Sequence, residues 1–502
     1  MAAHFFPRRL PVLPALLAVL AACSGGGGKD VPFVPDEVVQ DNGGETADPG
    51  LDGETRPPTQ VAEPFRIVFP YYQYTPPPEP IRVLWTDPSA MAINPSTSLD
   101  AALQAVDRSL SCTNGCIADR SGHWLAVVVA LPDESGGSKV RLFRLFDGPV
   151  VQASGIADIV DVRAFAFGKD SFVFTRAQYG CYESDTHRKA CAKFFRIDLS
   201  VANPAGEESL FTFPTEADLD KVLAPSGNFR IGDDGRTILV LGPTVGSQSV
   251  WLWRGPTGLP IRVAGPICGA GTIDGACQES GSAFSDTDPV ALSPDGNHLV
   301  LALVENDRAL VLVHVDLPQA GTRKTASLLK MAEGISFAEN ACYNRQRVNP
   351  WQPTFVQGPL RFSPDGTEVL FVAGTECDPN RTRPWTNVLA LPLSRIDGEG
   401  TLARDHLRWI TEFPTDETRT ACVSILPGSM DLSPTGDHVV FAGSPMLDST
   451  GTAVIPDGQQ QLYLDAEVWA VRRDGTTAPV QLTATQGWKA TSTLAIAVPP
   501  SP

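Results

Sequence analysis

The residues best able to do chemistry in this chain are its cysteines. There are ten, against seven histidines, in 502 residues. Cys23 follows an apolar run near the N-terminus. The others are Cys112, Cys116, Cys181, Cys191, Cys268, Cys277, Cys342, Cys377 and Cys422. A thiol can hold a metal, act as a nucleophile or oxidise to a disulfide, and the compartment decides among these. Residues 1–22 carry Arg8 and Arg9, then a short apolar stretch over residues 10–20, then small residues. That is the anatomy of an export signal, too short to span a bilayer. Exported cysteines are expected as disulfides. Near neighbours suggest Cys112–Cys116, Cys181–Cys191 and Cys268–Cys277, and leave the pairing of Cys342, Cys377 and Cys422 open. Cys181, His187 and Cys191 place a histidine between two cysteines, but zinc usually needs four ligands at tighter spacing. There is no G-x-S-x-G, no H-E-x-x-H and no phosphate-binding glycine loop. Carboxylates are too common to single out a catalytic pair. No catalytic, cofactor-binding or metal-binding residue is assigned.

The tetrapeptide Leu20-Ala21-Ala22-Cys23 resembles the bacterial lipobox. That resemblance implies cleavage before Cys23, lipidation of its thiol and acylation of the new N-terminus, an anchor stronger than the two signals stable attachment requires. Ser24, where lipoproteins kept in the inner membrane often carry Asp, favours the outer membrane. Residues 23–60 follow as the lipidated cysteine and a flexible acidic, glycine-bearing linker. It holds Asp30, Asp36, Glu37, Asp41, Glu45, Asp48, Asp52 and Glu54 with few large apolar residues, so it cannot bury a core.

The rest of the chain must position whatever chemistry exists. Glycine and proline number 44 each, and 42% of residues are hydrophobic, so residues 61–502 are turn-rich and foldable. A net charge of −18 argues against nucleic acid as a partner. A repeat runs through this region. Ser293-Pro294-Asp295-Gly296, Ser363-Pro364-Asp365-Gly366 and Ser433-Pro434-Thr435-Gly436 each precede a short apolar run. Looser copies end at Gly122 and Gly235, and Phe167-Gly168-Lys169-Asp170 is a degenerate one. Proline presets the turn, aspartate bonds the backbone just ahead, and glycine takes the position a side chain would crowd. Each unit continues with a third run, as in residues 309–316 and 386–393, and a more polar fourth, as in 259–265 and 406–413.

These units resemble the repeats of TolB-like β-propellers, relatives of the WD-repeat proteins. The resemblance implies an all-β propeller of four-stranded blades, six or seven in number, with seven favoured. In that reading residues 65–74 and 79–85 are third and fourth strands, residues 492–498 supply a first strand, and together they close the ring. Strand order puts the glycine turns on one face. It puts all nine cysteines on the other, with long loops over residues 86–115, 177–192, 266–287, 334–357 and 445–459. Such loops commonly form binding surfaces.

TolB-like propellers bind partners, including a peptidoglycan-associated lipoprotein. This chain departs from TolB in being lipidated itself and in lacking the separate N-terminal α/β domain. The expectation is an envelope lipoprotein, periplasmic or surface-facing, whose propeller binds another protein without catalysis or cofactor. The alternative is a glycan-binding or glycan-active propeller, with Trp85, Trp351, Trp385 and Trp488 near loops where sugars could stack. The anchor is directly testable. Cys23→Ser is expected to move the protein from the membrane fraction to the soluble periplasm or the medium on fractionation, and unchanged membrane association would refute lipidation.

Overall fold

The computed structural model describes, with interruptions, residues from Ile67 to Lys489; residues 1–66 and 490–502 and much of the longer connections lie outside the described residues. Cys23, Cys112, Gly122, Cys277, Cys342, Cys377 and Cys422 are among those not described.

Six antiparallel blades follow one another along the chain, the third and fourth joined by a parallel pairing into one nine-stranded sheet. Blade two shows the plan: Ala164–Phe167, Ser171–Ser184, His187–Asp198 and Glu207–Phe213 lie side by side in chain order. Blade three repeats it with Phe229–Ile231, Thr237–Thr244, Ser247–Arg254 and Ile261–Cys268. Blade four has Val290–Leu292, His298–Glu305, Ala309–Asp316 and Thr322–Lys330. Blade five has Val356–Phe362, Glu368–Gly374, Thr386–Pro392 and Arg408–Trp409. Blade six has Asp431–Leu432, His438–Ser444, Glu467–Arg472 and Val480–Gln481. Blade one has Cys116–Ala118, Trp124–Ala130 and Ser138–Leu145, with its outer lane divided between Val150–Gln152 and Ile159–Val162. From blade two to blade six each innermost strand touches the next, which lines them around an axis. The protein is an all-β propeller.

The chain ends add a further four-stranded sheet, and here the expected strand positions need correction. Trp488–Lys489 pairs with Ile67–Tyr72, which pairs with Arg82–Thr86, which pairs with Thr97–Ser98. The two N-terminal runs are therefore second and third strands, not third and fourth. The fourth strand is only two residues long, too short to leave a periodic signal. The C-terminal strand lies at Trp488–Lys489, while residues 492–498 fall outside the described residues. The region 86–115, expected as loop, also contains the helix Leu99–Val106. Its Leu103 is fully buried, and it touches both Arg82–Thr86 and Val150–Gln152, joining the closing sheet to blade one.

The core lies between blades. Successive residues of a strand point to opposite faces, so each central strand serves two cores. In blade five Val369, Phe371 and Ala373 pack toward blade four, while Leu370 and Val372 pack toward blade six. Blades two and three share an aromatic seam in which Phe211 stacks on Phe194 at 4.4 Å and on Trp253 at 4.5 Å between ring centres.

The repeat turns share one hydrogen-bond device. The Ser293 hydroxyl donates to the Asp295 carboxylate at 2.5 Å and accepts the His298 N–H at 2.8 Å, while the Gly296 N–H donates to the Ser293 carbonyl at 2.9 Å. Ser363, Asp365, Gly366 and Glu368 repeat this arrangement. At Ser433 a threonine hydroxyl replaces the carboxylate. In blade one Asp119 stands for the serine and accepts the Trp124 N–H at 2.8 Å. Gly235, Gly296, Gly366 and Gly436 have φ between 61° and 75°, the left-handed region their turns need.

Those glycines also sit against the preceding blade. A β-carbon at Gly436 would come within 2.4 Å of the Pro364 ring, and one at Gly296 within 2.8 Å of Thr237. At Gly366 the nearest atoms, on Pro294 and Ser293, are 3.9 Å away. Gly366→Ala should therefore cost only the backbone strain of about 1 kcal/mol. Gly436→Ala should add overlap, for about 2–4 kcal/mol in total. Urea unfolding of the two variants checks the order, and equal losses would show that blade-to-blade contact at the turn is unimportant.

Candidate functional site

The turn face is closed by hydrogen bonds within and between blades. Glu208 of blade two meets Arg236 of blade three at 2.9 Å. Arg254 of blade three donates to the Gly296 carbonyl and to the Asn297 side chain of blade four. Glu368 of blade five receives Arg408 at 2.5 Å and Arg473 of blade six at 3.0 Å. The Ser363 hydroxyl holds the Asp365 carboxyl below its ordinary value. Polar groups so engaged have little capacity left for a ligand.

The opposite face carries the additions. In blade two the second and third strands run on past their neighbours as Ser171–Ser184 and His187–Asp198. The inner strand of that blade pairs only with Phe172 to Thr175, and the outer strand begins its pairing at Ala192. Residues 177–191 thus form a two-stranded ribbon whose strands pair only with each other among the described residues. The expectation of a long loop over 177–192 is corrected: the segment is a hairpin extension of the blade. It extends by about six residues, or ~20 Å.

The ribbon register also separates the sequence's metal candidates. His187 lies opposite Ser184 and Cys191 opposite Gln178, four residues apart along one strand, or ~13 Å. That spread is far too great for one zinc shell. Cys181 falls in a bulge between the pairs Tyr179–Ala190 and Tyr182–Lys189, one step along the ribbon from Cys191. Among the described residues there is no cluster of three His, Cys, Asp or Glu able to hold a metal.

The other described cysteines lie at the same end. Cys116 begins the innermost strand of blade one, at the end away from its turn, and it is disulfide-bonded. Its partner is not among the described residues. Cys268 ends the outer strand of blade three, where it pairs with Ala283 of the connection into blade four. That connection forms a strand, Ser282–Phe284, on the far end of blade four's second strand. Blade six shows the same device: Ser424–Ile425 pairs with Gly443 and Ser444, and the Ile425 N–H donates to the Thr386 hydroxyl of blade five at 2.6 Å. A small hairpin, Met446–Leu447 with Ala453–Val454, lies within the expected loop 445–459.

Sequence reasoning missed several polar centres because each reads as an ordinary strand residue. Glu467 is fully buried at the loop-side end of blade six, opposite Gly443. Arg141 of blade one grips Asp158 through two nitrogens at 2.5 and 3.1 Å and reaches Asp107, just past the helix, at 3.3 Å. The Arg141 guanidinium holds the Asp158 carboxyl down to about 2. On the innermost strands Arg361 of blade five meets Asp431 of blade six at 3.2 Å, across the blade boundary. Of the four tryptophans considered for sugar stacking, Trp85 and Trp488 are strand residues of the closing sheet, paired with Val68 and Tyr72. Trp351 and Trp385 lie outside the described residues.

The sheets define the class of protein: a β-propeller with one face locked by repeat turns and the other carrying irregular additions. No family model matches the chain, and no curated protein is found to match it. Solved structures do. TolB from Acinetobacter baumannii is 12% identical, with a TM-score of 0.32 over 85% of this chain and 82% of that one. The β-propeller domain of the Trilobed protease from Pyrococcus furiosus is 10% identical, with a TM-score of 0.40 over 85% and 97%. A structure from a study of two prolyl endopeptidases is 12% identical, with a TM-score of 0.43. The match covers 86% of this chain but only 49% of that one, so the chain spans about half the length of that protein. Likeness this distant carries neither activity nor partner across.

A two-stranded ribbon alone is marginally stable in water. A Cys181–Cys191 bond across it would restrict the unfolded chain by ~2–3 kcal/mol. Replacing both cysteines by serine is expected to leave the far-UV circular dichroism unchanged and to increase protease cutting between residues 177 and 192. Loss of the β spectrum, or free thiols in protein purified without reductant, would refute this role.

Proposed function

We propose that this protein is a membrane-anchored envelope lipoprotein whose propeller is a non-catalytic protein-binding module, and that the partner meets the face opposite the repeat turns. The observation that carries the reading is the ribbon 177–191, whose strands pair with no other described strand and whose outer edges are unpaired among the described residues. Such an element costs conformational entropy and contributes nothing to the blade cores, so its use lies outside them. The disulfide at Cys116 and the added strands Ser282–Phe284 and Ser424–Ile425 stiffen the same face.

The position of the first described strand fits this reading. Ile67 opens the second strand of the closing sheet, and second strands start at the turn face. A lipid anchor ahead of Ile67 would leave the opposite face free for a partner. Cysteine pairs other than the bond at Cys116 belong to this proposal as staples of that face.

The test replaces residues 179–190 by Gly-Gly and compares detergent-solubilised complexes with those of the natural protein after in-cell cross-linking. Loss of one stoichiometric protein partner, with thermal stability unchanged, is the expected result. A partner retained in full would move the contact away from the ribbon. A glycan ligand on an array, with no protein partner, would favour the glycan-binding alternative.

A further inference from the structure

Blade four contains a histidine pair that the binding role does not use. His298 opens the second strand and His314 lies in the third, diagonally across. Nδ1 of His298 is 3.1 Å from Nε2 of His314, a hydrogen bond needing one proton between two rings. His314 is 8% exposed, and its Nδ1 has no hydrogen-bond partner. Strand parity fixes where the pair points. Val300, Ala302, Leu310 and Leu312 face the core shared with blade five, and His298 and His314 continue those two rows. The pair therefore sits at the turn-face end of the joint between blades four and five.

We propose that His298 and His314 make this joint acid-sensitive: with one proton between them the rings tie two strands together, and with both rings protonated they repel and the joint loosens.

The surroundings compensate the charge only in part. Lys324 lies opposite His314 in the register and adds a like charge, while Asp316 lies opposite His298 and offsets part of it. Asp295, in the adjoining turn, is held by the Ser293 hydroxyl and the Asn297 N–H, and its charge also attracts His298. Blade five brings Asp365, engaged by Ser363 and Thr367, and Arg395 of the short turn Leu393–Arg395 to this end. Burial lowers the His314 pKa, with the nearby His298 and Lys324 acting in the same direction and Asp316 against them. For a group whose folded-state pKa is depressed, the stabilisation is present above the unfolded value of ~6.5 and is lost as pH falls toward the folded value.

Hydrogen–deuterium exchange on the full chain tests this at pH 7.5 and 5.0, corrected for intrinsic rates, in the natural protein and in His298→Gln, His314→Gln and His438→Gln. His438 is a half-buried histidine at the equivalent place in blade six. On acidification the natural protein should lose protection about tenfold over residues 298–316, the change that one unit of displaced titration gives. His438→Gln should behave alike there, while His298→Gln and His314→Gln should show little pH dependence in that stretch. The same loss in all four proteins, or none in the natural one, overturns the proposal. Should a variant fail to fold, the imidazole resonances of the natural protein decide: protonation of the His314 ring should shift the His298 resonances with it. Independent titration of the two rings refutes the coupling. The outcome does not depend on the protein-binding role, which the ribbon deletion tests separately.

Discussion

The close seating of one repeat turn on the turn before it is the constraint on which this ring depends. Gly232 comes within 3.5 Å of the α-carbon of Gly296, measured from where its own β-carbon would be, and the Asp233 N–H donates to the Pro294 carbonyl. Gly296 lies on Thr237, Gly366 on Ser293 and Pro294, and Gly436 on Pro364. Each turn is both a hairpin link and a spacer between blades. Its serine is buried and its hydroxyl is used twice, as donor and as acceptor, so the turn has one favoured shape. Fixing the turn fixes the angle at which the next blade's faces meet, and the interblade cores then fill that wedge.

Blade two shows what happens when the turn is altered. Gly168, Lys169 and Asp170 make a shorter link, in which the Gly168 N–H donates directly to the Ser171 carbonyl. In blade three the equivalent Thr237 hydroxyl donates to Asp234. Shortening removes that carboxylate, and the buried Ser171 hydroxyl is left without a hydrogen-bond partner. The blade offsets this with its aromatic core, where Phe172 and Phe174 are fully buried and Arg176 lies over Phe174 and Phe195 while pairing with Glu207 at 2.5 Å. A truncated turn is tolerable where packing is dense.

Six repeat units were legible in the sequence, with the total left between six and seven blades, because the turn needs particular residues at fixed offsets and the strands after it are nearly continuous apolar runs. Leu299 to Leu303 are all buried, which leaves few other readings. Legibility failed wherever a strand is short or polar. Thr97–Ser98 and Trp488–Lys489 are held by two partners each, and nothing in their composition distinguishes them from loop. The ribbon was misread for a different reason. Residues 178–191 are mostly polar in sequence, and a strand without apolar alternation has no period to read. His314 looked like any residue of an apolar run, since the pairing with His298 depends on a diagonal between strands.

The two faces therefore differ in how freely they can change. At the turn face a substitution disturbs a hydrogen-bonded turn, the glycine seat of the next blade and bridges such as Glu368 with Arg408 and Arg473, all at once. At the opposite face strands can lengthen, as in Ser171–Ser184, or gain a partner, as Ser282–Phe284 does, without moving any blade. Variation accumulates where it costs little, and recognition surfaces are drawn from such variation. The bonded Cys116 fits that division. It begins the innermost strand of blade one, on the end without a repeat turn, where a covalent link supplies order that the turn supplies at the other end.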